Sequence, residues 1–367
     1  MGLAKTFSAV IVGVRANIVE VEADLSQGLP GLSIVGLPDT ALNEARDRVR
    51  AAVVNSGLKW PNVKTTVSLS PAWLPKRGSG LDLAIALAIL AADGQLPVQE
   101  VGRILSLGEL GLDGMVRPAP GALATALAMR RSSGRVPSAI AAGSSDCLCL
   151  RAVPGLEVIE APSLRALAAR LLGEQEVDPG VDLSAPAFVA LESSSDARAY
   201  KDMSDVKGQP EAKRALEIAA AGGHHVALLG RAGVGKTLLA ERLPGILPNL
   251  DDEQALEVTS IHQLSGRLDS AGTGLARCAP WFAPHHTASR AAMVGGGSDN
   301  RPSIGMVSLA HHGVLFLDEA AEFEPSVLDA LREPLESGSV TIARAGFQLC
   351  LPADFQLVLA TNPCPCG

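Results

Sequence analysis

The sequence predicts an α/β protein of two domains: a mixed α+β domain over residues 1–173 and an αβα domain over 206–367, joined by a linker at 174–205. Three observations carry that prediction. From Thr6 to about Leu172, short β-branched runs alternate with Ala/Leu-rich stretches of helical period. From Glu174 to about Asp205 the composition shifts to Glu, Asp, Pro and Ser with no sustained periodicity, as in a linker. Beyond Val206, three apolar strands each run into a turn that can do chemistry: a glycine-rich loop, a pair of carboxylates and an amide.

Taken in order, AVIVGV (9–14) and IVEVEADL (18–25) read as strands, with Arg15-Ala16-Asn17 as the turn of a hairpin. Asp39 or Thr40 offers an N-cap to the amphipathic helix ALNEARDRVRAAVVNSG, which Gly57 ends. VKTTVSLS (63–70) is a further strand, followed by a buried helix in LDLAIALAILAADG. ILSLGEL reads as a strand before the turn Leu112-Asp113-Gly114, and a helix runs from about Gly121 to Arg131. The strand PSAIAA and the helix SLRALAARLLG close the domain.

Composition excludes several classes. The 367 residues are 47% hydrophobic, enough for buried cores. A formal charge of -8 does not mark a nucleic-acid binder, although local basic grooves stay open. The longest near-apolar run, Leu83 to Ala92, falls short of the ~20 residues that span a bilayer. No signal peptide is read at the N-terminus, so the expectation is a cytoplasmic protein with no membrane partner. Six cysteines, two of them in Cys147-Leu148-Cys149 and two in Cys364-Pro365-Cys366, do not form a secreted disulfide framework, and reduced thiols are expected.

The chemistry concentrates in the second domain. Val226-Ala227-Leu228-Leu229 is a buried-type strand leading into Gly230-Arg231-Ala232-Gly233-Val234-Gly235-Lys236-Thr237, after which Leu238 and the rest of LLAERLPGIL continue as a helix. This is G-x-x-x-x-G-K-[ST] in its strand-loop-helix setting, the phosphate-binding loop of ATP and Mg²⁺ users. Glycines let the backbone wrap so that N–H groups face phosphate oxygens. Lys236 is expected to reach the β/γ-phosphates and Thr237 to hold Mg²⁺. Gly313 to Leu317 is an apolar strand ending in Asp318 and Glu319, the Walker B pattern, with Asp318 in the Mg²⁺ shell and Glu319 polarising the attacking water. Phe355 to Ala360 is a third strand, ending in Thr361-Asn362. The Asn362 amide can meet the γ-phosphate or the water; its other reading is a cap or turn residue. The histidine pairs 224/225, 285/286 and 311/312 raise a metal site, but neighbours on a strand face opposite ways, which favours structural or interface roles. Cys364 and Cys366 are read as free.

With these elements in order, the second domain resembles the AAA+ ATPases, and within them the magnesium-chelatase-like family, ComM/YifB branch. The segments that carry this are Asp205-Val206-Lys207-Gly208-Gln209, Ala283-Pro284-His285-His286-Thr287-Ala288-Ser289, Gly295-Gly296-Gly297, Ser308-Leu309-Ala310-His311-His312-Gly313 and Asn362 to Gly367. The first domain, through GLPGLSIVGLPD, SLSPAWLPKRGSGLDLAIALAILAADGQ and LGELGLDGMVRP, looks like the Lon-protease-like fold that precedes the ATPase in this branch. The resemblance implies a homo-oligomeric, hexameric, ATP-driven ring, with Asn362 as sensor 1. For this branch it implies action on branched or single-stranded DNA in recombination and natural transformation. The chelatase side implies metal insertion with a partner instead, and a nucleotide-binding remnant without turnover is the third reading.

Some positions depart from the pattern. On the Lon nucleophile segment the Ser position falls on Gly78 or Gly80, with Ser79 out of register, and the Lys position falls on Leu123, so peptidase activity is not expected. Ala279 stands where the family has Arg, and Met306 where it has Glu. The chain stops at Gly367, directly after sensor 1, leaving no residues for an arginine finger, a helical lid or a sensor 2 arginine; the expectation is an AAA+ core lacking its C-terminal lid.

Overall fold

The computed structural model describes residues 2–36, 40–74, 76, 78–132, 137–174, 201–267, 275–298, 301–344 and 347–363. These fall into two compact units, 2–174 and 201–363. Most of the expected linker and both terminal cysteines, Cys364 and Cys366, lie outside the described residues, as does the cap position Asp39.

In the N-terminal unit, β1 (Gly2–Val12) and β2 (Arg15–Ser26) form a long antiparallel hairpin that closes on the pair Val12–Arg15. The turn is therefore Gly13-Val14 rather than Arg15-Ala16-Asn17. Gly13 takes the left-handed φ of 68° that a tight two-residue turn demands, which leaves 15–17 free to extend the strand. β3 (Gly31–Val35) and α1 (Thr40–Asn55) follow, then β4 (Lys64–Ser70) and α2 (Asp82–Ala92). After α3 (Val98–Gly102), the ILSLGEL run splits into β5 (Ile104–Ser106) and β6 (Glu109–Leu110), and β6 pairs with β7 (Val116–Arg117). The split falls at Gly108, whose N–H donates to Gly80 and whose carbonyl accepts from Leu83 instead of joining the sheet. α4 (Ala122–Arg131), β8 (Ala139–Ala142), α5 (Ser144–Leu150), β9 (Glu157–Glu160) and α6 (Leu164–Leu172) complete the unit. The mixed sheet runs β3-β4-β2-β1-β5-β8-β9.

α2 is the keystone of this core. All eleven of its residues are buried, so it shows none of the one-sided patterning of a surface helix. Its Asp82 meets Arg48 of α1 through two hydrogen bonds, Nε to Oδ2 at 2.9 Å and Nη2 to Oδ1 at 3.2 Å, and also accepts the Leu110 N–H. Burial pushes the Asp82 carboxyl up to about 6 despite the guanidinium.

The second unit opens with a 3₁₀ turn at Met203–Asp205, inside the stretch expected to be linker. Arg242, almost fully buried, anchors it by donating to the Asp202 carbonyl at 3.0 Å and pairing with Asp205 at 3.4 Å. α7 (Pro210–Gly222) leads to β10 (Val226–Leu229). The helix after the glycine-rich loop, α8, covers only Lys236–Ala240 and gives way to a 3₁₀ turn at Leu243–Ile246. It is shorter than the expected LLAERLPGIL helix because Pro244 brings no N–H to continue the ladder. α9 (Asp252–Leu264) starts with a reciprocal cap between Asp251 and Gln254. β11 (Trp281–Phe282) precedes the hairpin β12 (Gly295–Ser298)/β13 (Arg301–Ile304), then come β14 (Val314–Leu317), the hairpin β15 (Ser339–Arg344)/β16 (Phe347–Pro352) and β17 (Gln356–Thr361).

The central sheet of this unit is fully parallel, in the order β10-β17-β14-β11. The Trp281 and Phe316 rings stack across β11 and β14 with centroids 5.3 Å apart. Among the described residues, no helix is long and apolar enough to cross a membrane.

Candidate functional site

Parallel strands carry their connections out at their C-terminal ends, and there the loops of an open α/β sheet form a crevice. The register pairs Leu229 with Thr361 and Leu317 with Leu359, so the residues just beyond β10, β14 and β17 come out side by side. They enclose an open cleft of about 320 Å³ lined by Ala232, Gly233, Gly235, Lys236, Thr237, Leu238, Asp318, Glu319, Thr361 and Asn362.

Within the loop, Gly233 and Gly235 hold left-handed φ values of 79° and 94°. A Cβ on Gly230 would stand 3.0 Å from the Val234 side chain. Gly230, Arg231 and Val234 do not line the cleft; they shape it through their carbonyls. Lys236 Nζ donates to the carbonyls of Gly230 (2.6 Å) and Arg231 (3.1 Å) and to Asn362 Oδ1 (2.9 Å). All three acceptors are formally uncharged, so the ammonium is held in place while its charge stays available to an anion. Gln209, in a left-handed conformation at the head of α7, clamps the loop from outside by donating to the Val234 carbonyl at 2.7 Å.

Asp318 uses both oxygens. Oδ2 accepts the Thr237 hydroxyl at 2.7 Å and Oδ1 accepts the Glu319 N–H at 2.9 Å. The second bond fixes a turn in which Glu319 adopts a φ of 49°, turning its exposed side chain toward the cleft. Its carboxylate lies 3.5 Å from His286 Nδ1. Hydroxyl and carboxylate oxygens 2.7 Å apart are hard donors of the kind Mg²⁺ takes beside phosphate oxygens, so the residues fit that ion.

The sequence motifs thus named the cleft residues, and the structure brings Lys236, Thr237, Asp318, Glu319 and Asn362 together. Sequence reasoning missed two neighbours, Gln209 and His286. Both stood inside segments that carried the family resemblance, with no local signal tying them to the loop or to Glu319.

The histidine pairs divide. His225 Nδ1 accepts the Leu357 N–H at 3.0 Å and so braces the start of β17. His311 and His312 do not face opposite ways: they sit in the turn before β14, His312 has a φ of 56°, and their rings lie 3.8 Å apart. Both Nε2 atoms come within 3.1 Å of Glu257, the one grouping among the described residues with the spacing of a metal site. Yet His311 Nδ1 accepts the Asp354 N–H at 3.1 Å, which puts the neutral ring's proton on Nε2, where it donates to Glu257. A metal on that nitrogen needs the reverse tautomer. The trio is a hydrogen-bonded strut.

In the N-terminal unit, Leu123, the position of the Lon lysine, is fully buried. Ser79 donates to Glu109, and Lys76 donates to the Pro71 carbonyl.

Comparison with known proteins agrees with this geometry. Residues 202–367 match the family described as Magnesium chelatase, subunit ChlI, and residues 21–138 match Subunit ChlI of Mg-chelatase. The whole chain is 43% identical to YifB of Escherichia coli, covering 69% of that protein, and 41% identical to Competence protein ComM of Haemophilus influenzae, covering 70% of it. A 186-residue stretch, 45% of this chain, is 30% identical to Lon protease 2 of Bacillus subtilis and covers 33% of it. Because the likeness to YifB and ComM runs through both units and the second unit builds the cleft that the AAA+ motifs promise, the chain belongs to the ComM/YifB branch of the magnesium-chelatase-like AAA+ family.

Proposed function

We propose that the chain binds Mg²⁺·ATP in this cleft and hydrolyses it, and that in the assembled protein the cycle drives a homo-oligomeric, hexameric ring acting on branched or single-stranded DNA, in the cytoplasm, during recombination and natural transformation. The observation that carries the hydrolytic reading is the convergence of three separate chain segments on one cleft, through Lys236–Asn362 at 2.9 Å and Thr237–Asp318 at 2.7 Å. Lys236 would bind the β- and γ-phosphates, while Thr237 and Asp318 would hold the ion. Bound there, Mg²⁺ neutralises charge on the phosphoryl oxygens. Glu319 would take a proton from the attacking water, and Asn362 would orient that water or the γ-phosphate. The DNA reading is supported by the 41% identity to a competence protein over the whole chain. With a net charge of -8, contact with DNA must be local rather than global.

The test is ATP turnover by the purified chain, with and without branched DNA, beside Lys236→Ala. We expect turnover that rises with DNA and vanishes in the variant. Turnover indifferent to DNA turns the reading toward the chelatase type of partner-driven ATPase. Turnover no higher than that of Lys236→Ala removes the motor reading.

A further inference from the structure

We propose that the second unit carries a separate binding site for an aliphatic polyamine, a flexible chain with more than one ammonium group, at the end of the sheet opposite the nucleotide cleft. His225 leads into β10, Gly313 leads into β14 and Gln356 begins β17, and at these strand starts the structure leaves a cavity of about 530 Å³. That volume lies in the range of small-molecule sites, about 300–1,000 Å³. β17 has six residues, so its length sets the cavity about 20 Å from Asn362, and the two sites share no residue.

The lining selects the ligand. The short helix Arg332–Ser337 brings Glu336 to the cavity and the approach to β17 brings Asp354, both exposed carboxylates. Asp354 Oδ2 lies 3.8 Å from His312 Nδ1, while His225, which accepts the Leu357 N–H on Nδ1, is a neutral ring. Ala220, Leu247 and Phe355 supply apolar surface for an alkyl stem. Gln356 points the same way independently. It also lines the cavity, is 6% exposed, and its Nε2 donates to the carbonyls of Ala219 (3.2 Å) and His224, which fixes the amide and leaves Oε1 as its other end. Among the described residues Oε1 has no donor, although a buried acceptor left unpaired is costly. Two carboxylates and an amide oxygen call for several N–H donors on one apolar stem. A lysine side chain brings a single ammonium, and an anion is repelled by the same carboxylates.

Spermidine is the probe. It is titrated calorimetrically into the purified chain at about 0.15 M salt, which screens loose attraction to a net charge of -8. We expect one saturable site per chain, weakened about fivefold by Glu336→Gln and by Asp354→Asn. Glu211→Gln removes the same charge from the first turn of α7, at the far end of that helix from Ala220, and is expected to leave the affinity within about twofold of wild type. A second reading follows the buried amide: spermidine is expected to move the Gln356 side-chain NH₂ signals in ¹H–¹⁵N spectra, identified by their loss in Gln356→Met. The absence of saturable binding, equal weakening by Glu211→Gln, or stationary Gln356 signals overturns the proposal. Lys236→Ala is expected to bind spermidine as wild type does, so the site stands or falls apart from the nucleotide reading. Loss of binding in that variant places the amine in the nucleotide cleft and overturns the proposal as well.

Discussion

Asp146 shows how strongly one residue's surroundings can decide its effect. It is 3% exposed in the first turn of α5, where its Oδ2 accepts the Ala119 N–H at 3.1 Å, and burial pushes its carboxyl up to about 6. The folded state therefore holds that proton more tightly than the unfolded chain does. Its stabilising contribution is complete below about pH 4 and is lost as the pH rises through about 6. Asp146→Asn keeps an oxygen for Ala119 and removes the buried charge. We expect it to raise stability by ~3 kcal/mol at pH 8 and by about half as much at pH 5, read as melting temperatures at both values. Asp82 shares the direction of that shift, because burial outweighs the pull of the Arg48 guanidinium that pairs with it. At this scale the cleft was readable wherever chemistry and chain order coincide. Lys236 and Thr237 are contiguous with their glycines, and Asp318 and Glu319 end an apolar strand. His286 and Gln209 were not readable, since each meets its partner only after the sheet order or the placement of α7 is known.

Elements differ in how much of their fate is local. α2 was legible as a buried helix because an uninterrupted Leu/Ile/Ala run has no polar face to turn outward. Ile85, fully buried within it, gives the matching prediction: Ile85→Ala is expected to cost about 3 kcal/mol, measured by urea denaturation, through lost burial and the cavity left behind. The short pieces escaped notice. β3, α3, α5 and β9 span four to seven residues each, too few to establish a period. The hairpin turn was misplaced for a different reason: Gly13 was read as the end of a strand when its freedom at positive φ makes it the turn. The truncated α8 belongs to the same class, since the proline that ends the ladder was present in the sequence but outweighed by the surrounding leucines.

On the scale of the whole molecule, each unit has a hydrophobic core of its own, one gathered around α2 and one between β14, β17 and the helices α7 and α8. Ligand binding stabilises only the state that binds. Calorimetry is therefore expected to resolve two transitions, with Mg²⁺·ATP raising one and Asp146→Asn raising the other. A single transition moved equally by both would mean that the units unfold as one. Such an experiment also probes the expected division at 174–205, much of which lies outside the described residues.

The stacking of Trp281 on Phe316 has an optical consequence. The chain has three tryptophans: Trp60 packs at the edge of the N-terminal core, Trp73 is 75% exposed, and Trp281 sits on the strand that leads to His286. Replacing the first two by phenylalanine leaves one indole, whose emission is set by its aromatic neighbour Phe316 on β14. Any displacement of β11 against β14 would alter the colour and yield of that light. The sheet that frames the cleft thus carries a built-in lamp beside Glu319, readable in a stopped-flow cell without any attached dye.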